Sequence, residues 1–119
     1  MKQNGLFFLD VLSIMPKDGT LCYIQAPDLE DSLVMQKTDD PALMLMRFDN
    51  DSLDKIKIKI MLDDIQDFIM YISIRNNGII YFEGYDGIEF GIFSKFFLIP
   101  RWFIKKYKQE NRYGISTDW

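Results

Sequence analysis

Residues 68–93 read FIMYISIR, NNG, IIYFEG, YDG and IEFGIF, and this stretch decides the fold. Each long run is rich in β-branched and aromatic residues, and each break carries a glycine behind an asparagine or an aspartate. The pattern predicts a three-stranded antiparallel meander. Helices elsewhere in the chain are expected to cover its apolar face, since a few strands alone are only marginally stable in water.

The register of the meander is predicted from its two turns. A two-residue first turn would set Ile72 opposite Glu83 and mix apolar with polar residues on both faces. A three-residue first loop, with glycine in the left-handed position, sets Ile72 opposite Phe82 instead. A second loop of the same length sets Phe82 opposite Phe90. The predicted inner face is then apolar throughout, because a one-residue slip would turn the whole set outward. It consists of Phe68, Met70, Ile72, Ile74, Ile80, Phe82, Ile88, Phe90 and Ile92.

The outer face of the meander holds the candidate binding residues. In the predicted register Glu83 lies directly opposite Glu89, and like charges in that position destabilise a sheet. An acidic patch flanked by tyrosines, with no cation nearby in the sequence, suggests a cationic partner; a solvated outer face is the alternative. The candidate partner-binding residues are Tyr71, Tyr81, Glu83, Tyr85, Asp86 and Glu89, together with Asp63, Asp64 and Asp67 before the first strand.

Three apolar runs, at 6–15, 42–48 and 53–62, are open between helix and strand by their periodicity. We favour a helix for 6–15, which a proline ends, and for 53–62, which Asp51 or Ser52 would cap.

Other segments are clearer. A strand is predicted at 21–25, a short helix from Asp28 to about Gln36, and an amphipathic closing helix from Arg101. The predicted fold class is therefore α+β, with an antiparallel sheet that includes the meander at about 68–93 and packs against two to four helices.

Length and composition narrow the function classes. The 119 residues fit a single domain over 1–119, and no apolar run is long enough to span a membrane. One cysteine, Cys22, and no leader-like start predict a cytoplasmic protein without a membrane partner. The net charge of −4 is uneven: residues 1–94 hold 8 basic and 16 acidic residues, and residues 95–119 hold 6 and 2. The acidic body predicts no direct binding to nucleic acid.

No motif predicts catalysis. The chain has no histidine, and it has no nucleophile elbow, phosphate loop or dinucleotide fingerprint. Cys22 lies in an apolar run without an activating base. We therefore expect no enzyme activity, no cofactor and no metal site. Two alternatives stay open: a small carboxylate-dependent hydrolase that uses Glu83 and Glu89 as a pair, and a regulatory binding module that mimics nucleic acid.

Residues 81–107, YFEGYDGIEFGIFSKFFLIPRWFIKKY, resemble bacterial immunity proteins, the antitoxins of contact-dependent growth inhibition systems. The resemblance implies a cytoplasmic inhibitor that binds one cognate toxin domain, often a nuclease, and blocks its active site. The acidic composition agrees with that expectation, because a nuclease must be cationic to hold phosphates and an inhibitor gains specificity by presenting carboxylates. We therefore expect an immunity protein whose partner is a cationic toxin domain.

Overall fold

The computed structural model describes residues 1–29 and 35–119, and it has an α+β fold. The helices are α1 (Gln3–Ile14), α2 (Asn50–Asp63) and α3 (Arg101–Tyr107), with short 3-10 helices at Pro27–Leu29 and Ile65–Phe68. The strands are β1 (Thr20–Gln25), β2 (Gln36–Lys37), β3 (Met44–Arg47), β4 (Tyr71–Asn76), β5 (Ile79–Tyr85), β6 (Phe90–Phe93) and β7 (Tyr113–Ile115). No helix in the described ranges is long and apolar enough to cross a membrane.

One seven-stranded sheet has the order β2-β3-β1-β4-β5-β6-β7. All neighbouring strands are antiparallel except β6 and β7, which are parallel. The α+β prediction is thus confirmed, and the meander forms three consecutive strands of a larger, mixed sheet.

The ambiguous segments resolve as two helices and a strand. The favoured helices at 6–15 and 53–62 are α1 and α2, while 42–48 contains β3. Helix α2 begins earlier than predicted, because the carboxylate of Asp49 accepts the backbone N–H of Ser52 at 2.8 Å and caps the helix there. The helix predicted from Asp28 is replaced at its two ends by a 3-10 turn and β2, and its middle lies outside the described residues.

Helices and sheet share one apolar core on the inner face of the sheet. Phe7 of α1 packs against Phe82 and against Phe103 of α3, with ring centroids 6.2 Å and 5.9 Å apart. Phe93 packs edge-on to Phe103 at 5.4 Å. The buried side of α2 joins the same core through Ile56 and Ile60.

The first turn of the meander is shorter than predicted. Asn76 pairs with Ile79 across a two-residue turn whose central residues, Asn77 and Gly78, both have positive φ, as a type I′ turn requires. A bulge at Tyr81 then shifts the register by one residue, which keeps Ile72, Ile74 and Phe82 together on the buried face.

The pairing partners that the predicted register gave to β4 are therefore wrong. Ile74 lies opposite Phe82, and Ile72 lies opposite Gly84 rather than opposite Phe82. A bulge supplies the extra residue that the prediction placed in the loop.

The second turn is longer than predicted. Tyr85 pairs with Phe90 across a four-residue loop, 86–89, so Phe82 lies opposite Phe93 instead of Phe90. The loop takes the extra residue because Ile88 adopts a left-handed φ of 58° and turns its side chain into the core, where it is fully buried. A β-branched residue with positive φ is rare, and burial of the side chain offsets its strain.

These two corrections exchange several residues between the faces. Ile72, Ile74, Phe82 and Ile88 are buried as predicted, whereas Phe68, Met70 and Phe90 are exposed. Two more residues predicted to face inward, Ile80 and Ile92, lie opposite Arg75 and Glu83 on the outer face. Gly91 and Phe93, predicted to face outward, are buried.

The outer face of the sheet is not covered by any helix of the described chain. Cross-strand pairing arranges its side chains in rows. One row, which we call the aromatic row, contains Tyr71, Tyr85 and Phe90. The next row contains Leu45, Tyr23, Ser73, Glu83 and Ile92.

Candidate functional site

Glu83 is the centre of the candidate site on the outer face. The hydroxyl of Tyr71 donates a hydrogen bond to its Oε2, and the hydroxyl of Tyr85 donates to its Oε1 at 3.4 Å. The two tyrosine rings, whose centroids are 5.6 Å apart, pack against each other. Strands β4 and β5 set this geometry, because Tyr71 pairs with Tyr85 and Glu83 lies in the next row.

The environment of this group favours a neutral pair of tyrosines beside an acidic residue. Burial, followed by the hydrogen bond to Glu83, raises the pKa of Tyr71 to about 12. Burial and then the charge of Glu83 also raise the pKa of Tyr85. Both hydroxyls therefore remain donors at neutral pH. Of the lysines and arginines that the structure describes, none forms an ion pair with Glu83.

A second group on the outer face was not predicted as a site. The guanidinium of Arg75 lies 4.4 Å from the ring centroid of Tyr23 and donates from Nε to Ser73 Oγ at 2.9 Å. Arg75 and Tyr23 border a shallow depression of about 460 Å³ that also reaches Leu45. The alternation of buried Cys22 and Ile24 with Tyr23 in β1 is the signal that places Tyr23 outward.

The five remaining predicted acidic residues gather at one end of the molecule. We call Asp63, Asp64, Asp67, Asp86 and Glu89 the acidic end. Asn4 links two parts of it, since its Nδ2 donates at 2.7 Å both to Asp67 Oδ1 and to the carbonyl of Gly87. The backbone N–H groups of Asp86 and Gly87 also donate to the carbonyls of Met70 and Ile69, which anchors the loop 86–89 beside the start of β4.

The acidic end contains cations that the sequence order does not reveal. Lys2 Nζ lies 2.5 Å from Asp67 Oδ2, and the Lys2 backbone N–H donates to Asp64 at 3.0 Å. Arg112 pairs with Glu89 at 3.0 Å. These hydrogen bonds lower the pKa of Asp64 and of Asp67, so both stay ionised at neutral pH. The expectation of an acidic patch without a nearby cation is therefore wrong for Glu89, and Lys2 lies beside the two carboxylates that precede β4.

The structure separates two residues that the predicted register brought together. Glu83 lies opposite Ser73 and Ile92, whereas Glu89 lies in the loop and pairs with Arg112. The predicted cross-strand repulsion is absent because the four-residue loop changes the register. The same change separates Glu83 from Glu89, the pair of carboxylates on which the hydrolase alternative depended.

Tyr81 belongs to neither group. As the bulged residue of β5 it packs on Phe97, with ring centroids 5.2 Å apart, at the edge of the core. The aromatic row and the acidic end are nevertheless continuous, since Tyr85 and Phe90 are the two residues that close the loop 86–89.

Comparison of the chain with protein-family models, with curated proteins and with solved structures finds no match.

Proposed function

We propose that the chain is an immunity protein, which binds a cognate cationic toxin domain in the cytoplasm and blocks its active site. The observation that supports this best is Glu83, a half-buried carboxylate that two tyrosine hydroxyls orient on the uncovered face of the sheet. The proposal assigns no catalytic turnover to the chain. The proposal requires a lysine or an arginine on the partner that reaches Glu83.

The tyrosines make Glu83 a prepared acceptor. Their hydrogen bonds hold the carboxylate in one position, so little side-chain freedom is lost when a partner binds. A carboxylate that already accepts neutral donors still has lone pairs for a charge-assisted hydrogen bond from an arginine or lysine. Tyrosine rings beside it exclude water and supply the packing that is typical of interface hot spots.

Exposed apolar side chains lie next to the acidic end. Phe68 and Met70 are both about half exposed, and the Met70 carbonyl accepts the backbone N–H of Asp86. Phe90, in the aromatic row, is also exposed. Large apolar side chains at the centre with carboxylates at the rim form the common composition of a protein interface.

The acidic end would act mainly before contact. Of its five carboxylates, Asp63, Asp64 and Asp86 form no ion pair within the described chain. Exposed charges of one sign raise the association rate with a partner of the opposite sign, and desolvated ones set the dissociation rate. We therefore assign steering to the acidic end and holding to Glu83 with the aromatic row.

The test first asks whether a large secreted protein is encoded immediately upstream of this chain, and it uses the C-terminal domain of that protein as the binding partner. Binding is measured by interferometry, and protection is measured by co-expression in bacteria. Wild-type chain should bind and protect, whereas Glu83→Gln should weaken binding at least thirtyfold, because the partner's cation loses its desolvated carboxylate. The matched control is Asp54→Asn, an equal loss of charge on an exposed residue near the start of α2.

Three outcomes would refute the proposal. They are the absence of an upstream toxin gene, no binding by the wild-type chain, and equal affinities of the Glu83 and Asp54 variants. Circular dichroism and urea unfolding of each variant distinguish loss of binding from loss of fold.

A further inference from the structure

The segment from Ser94 to Trp102 exposes large apolar side chains in an unusual concentration. Leu98 is 92% exposed, Phe96 is 77% exposed and Trp102 is 47% exposed. The alternate residues Phe97 and Ile99 pack against the core. The core contacts therefore hold the backbone while Phe96 and Leu98 project outward. We call Phe96, Leu98 and Trp102 the apolar tip.

Basic side chains surround the apolar tip. Lys95 and Arg101 lie within the segment, and Lys105 and Lys108 are exposed in the residues that follow it. Lys95 Nζ is 5.2 Å from the ring centroid of Phe96. Asp118 lies in the turn beside Lys95, whose backbone N–H donates to the backbone oxygen of Trp119 at 2.8 Å. The surroundings of the tip are thus predominantly cationic.

We propose that the apolar tip inserts into the interfacial region of an anionic lipid bilayer. Projecting Phe, Leu and Trp side chains gain free energy in the boundary between headgroups and acyl chains, and Lys and Arg beside them are attracted to anionic headgroups. The prediction of no membrane partner was based on the absence of a long apolar run. That absence concerns segments that span a bilayer, and it does not bear on side chains that insert into its interfacial region.

The shape of the tip favours a bilayer over a macromolecular partner. Leu98 projects almost completely into solvent, so a protein partner would need a matching pocket and a further interface of several hundred Å² to bind stably. A bilayer accepts projecting side chains without a pocket. Single-stranded nucleic acid would stack on Phe96 and Trp102, but it offers no favourable environment for Leu98.

The distribution of charge orients the molecule at such a surface. The loop 86–89 lies at one end of β6, and the segment 94–102 leaves β6 at its other end. Four residues of strand separate them by about 13 Å, which exceeds the Debye length of about 8 Å at physiological salt. The basic tip can therefore approach anionic headgroups while the acidic end points away from them.

The test is co-sedimentation with vesicles of phosphatidylcholine and phosphatidylglycerol in a 3:1 ratio, compared with pure phosphatidylcholine. Wild-type chain should bind the anionic vesicles, and binding should weaken as salt rises. Phe96→Ser with Leu98→Ser should lower the partition coefficient at least tenfold. The matched control is Met61→Ser with Leu62→Ser, which removes two apolar residues of α2 that are 51% and 76% exposed.

Two further measurements test the mechanism of binding. Lys95→Gln with Arg101→Gln should lower partitioning about fivefold for each charge removed, whereas Lys17→Gln with Lys55→Gln should change it little. In a Trp119→Phe background, the fluorescence of Trp102 should shift to shorter wavelength when anionic vesicles are added.

Several outcomes would overturn the proposal. The wild-type chain could fail to bind anionic vesicles, or bind neutral vesicles equally well. The double serine variant of the apolar tip could also lower the partition coefficient no more than the double serine variant of α2. The proposal is also overturned if the wild-type chain does not bind vesicles and Phe96→Ser with Leu98→Ser abolishes binding to a toxin domain or to a nucleic acid.

Discussion

At the scale of single residues, the tightest steric constraint is at Gly91 in β6. A Cβ atom added there would lie 2.2 Å from Phe82 Cζ and 2.3 Å from Phe82 Cε1. The Phe82 ring is fully buried and packs on Phe7 and Phe93, so it has no free space to move into. Packing against Phe82 therefore requires glycine at position 91, whereas turn chemistry does not.

Gly91→Ala should destabilise the fold by about 1–3 kcal/mol or more, because the added methyl group forces Phe82 out of its rotamer. Urea unfolding gives the free energy of unfolding. The matched control is Gly114→Ala in β7, where the added Cβ would lie an ordinary 3.6 Å from Phe90 Cζ. A similar small loss in both variants would contradict the packing around Phe82.

Tyr71 gives the fold a dependence on alkaline pH. Its pKa is raised to about 12, first by burial and then by the hydrogen bond to Glu83, whereas an unfolded tyrosine ionises near 10. The unfolded state therefore loses its proton first. The stabilisation is complete below pH 10 and is lost as the pH rises from about 10 to about 12.

Tyr71→Phe should remove this contribution, so the urea midpoint of the variant should fall less steeply between pH 9 and pH 11.5 than that of the wild type. Tyr107, whose pKa is also raised by burial and by Asp10, adds a slope of the same sign to both proteins. Parallel slopes for wild type and variant would show that the Tyr71 hydroxyl titrates normally.

At the scale of elements, one carboxylate, that of Asp10, joins the first and last helices. The hydroxyl of Tyr107 in α3 donates to Asp10 in α1, and Lys106 pairs with the same carboxylate at 2.7 Å. Phe7 packs edge-on to the Tyr107 ring at 5.1 Å. Since α3 has only seven residues, tertiary contacts of this kind must supply most of its stability.

Tyr107→Phe should cost about 1.5–3 kcal/mol, because it removes a hydrogen bond to a charged, half-buried acceptor and keeps the ring packing. Thermal and urea unfolding measure the loss. Tyr113→Phe is the control, because the Tyr113 ring packs on Phe103 and its hydroxyl has no hydrogen-bond partner in the described chain. A negligible cost at position 107 would mean that the hydrogen bond from Tyr107 to Asp10 does not stabilise α3.

At the scale of the whole molecule, segments of opposite charge lie beyond the two ends of β6. The acidic end lies beside the loop 86–89, and the apolar tip with its cations lies beyond the other end of β6. Helix α2, about 21 Å long, runs from Asp49 to the acidic end. Two different partners can therefore be approached by opposite ends, and the small net charge of −4 hides this division.

The association rate with the proposed toxin partner should fall as salt is raised from 20 to 200 mM, because exposed carboxylates steer a cationic protein. Asp63→Asn with Asp86→Asn should flatten that dependence with little change in the dissociation rate. Asp51→Asn with Asp54→Asn, at the far end of α2, is the matched control. Equal salt slopes for both pairs would assign the steering to the chain as a whole.

The sequence by itself determined the fold class, the positions of α3 and β1, and the burial of Ile72 and Phe82, and it favoured helices where α1 and α2 lie without excluding strands. These features depend on periodicity, capping and turn residues, which act between residues close in the chain. Tertiary structure alone decided the register, because the bulge at Tyr81 and the left-handed Ile88 are favourable only when the core packs around them.

The site was decided in the same way. Glu83 and the tyrosines beside it were predictable from strand alternation, since they lie on neighbouring strands joined by a short turn. The pairing of Asp67 with Lys2 and of Glu89 with Arg112 was not predictable from the sequence, because 65 and 23 residues separate the partners. Only the packing of α1 and β7 against the meander brings these charges together, and no pattern in the sequence encodes that distance.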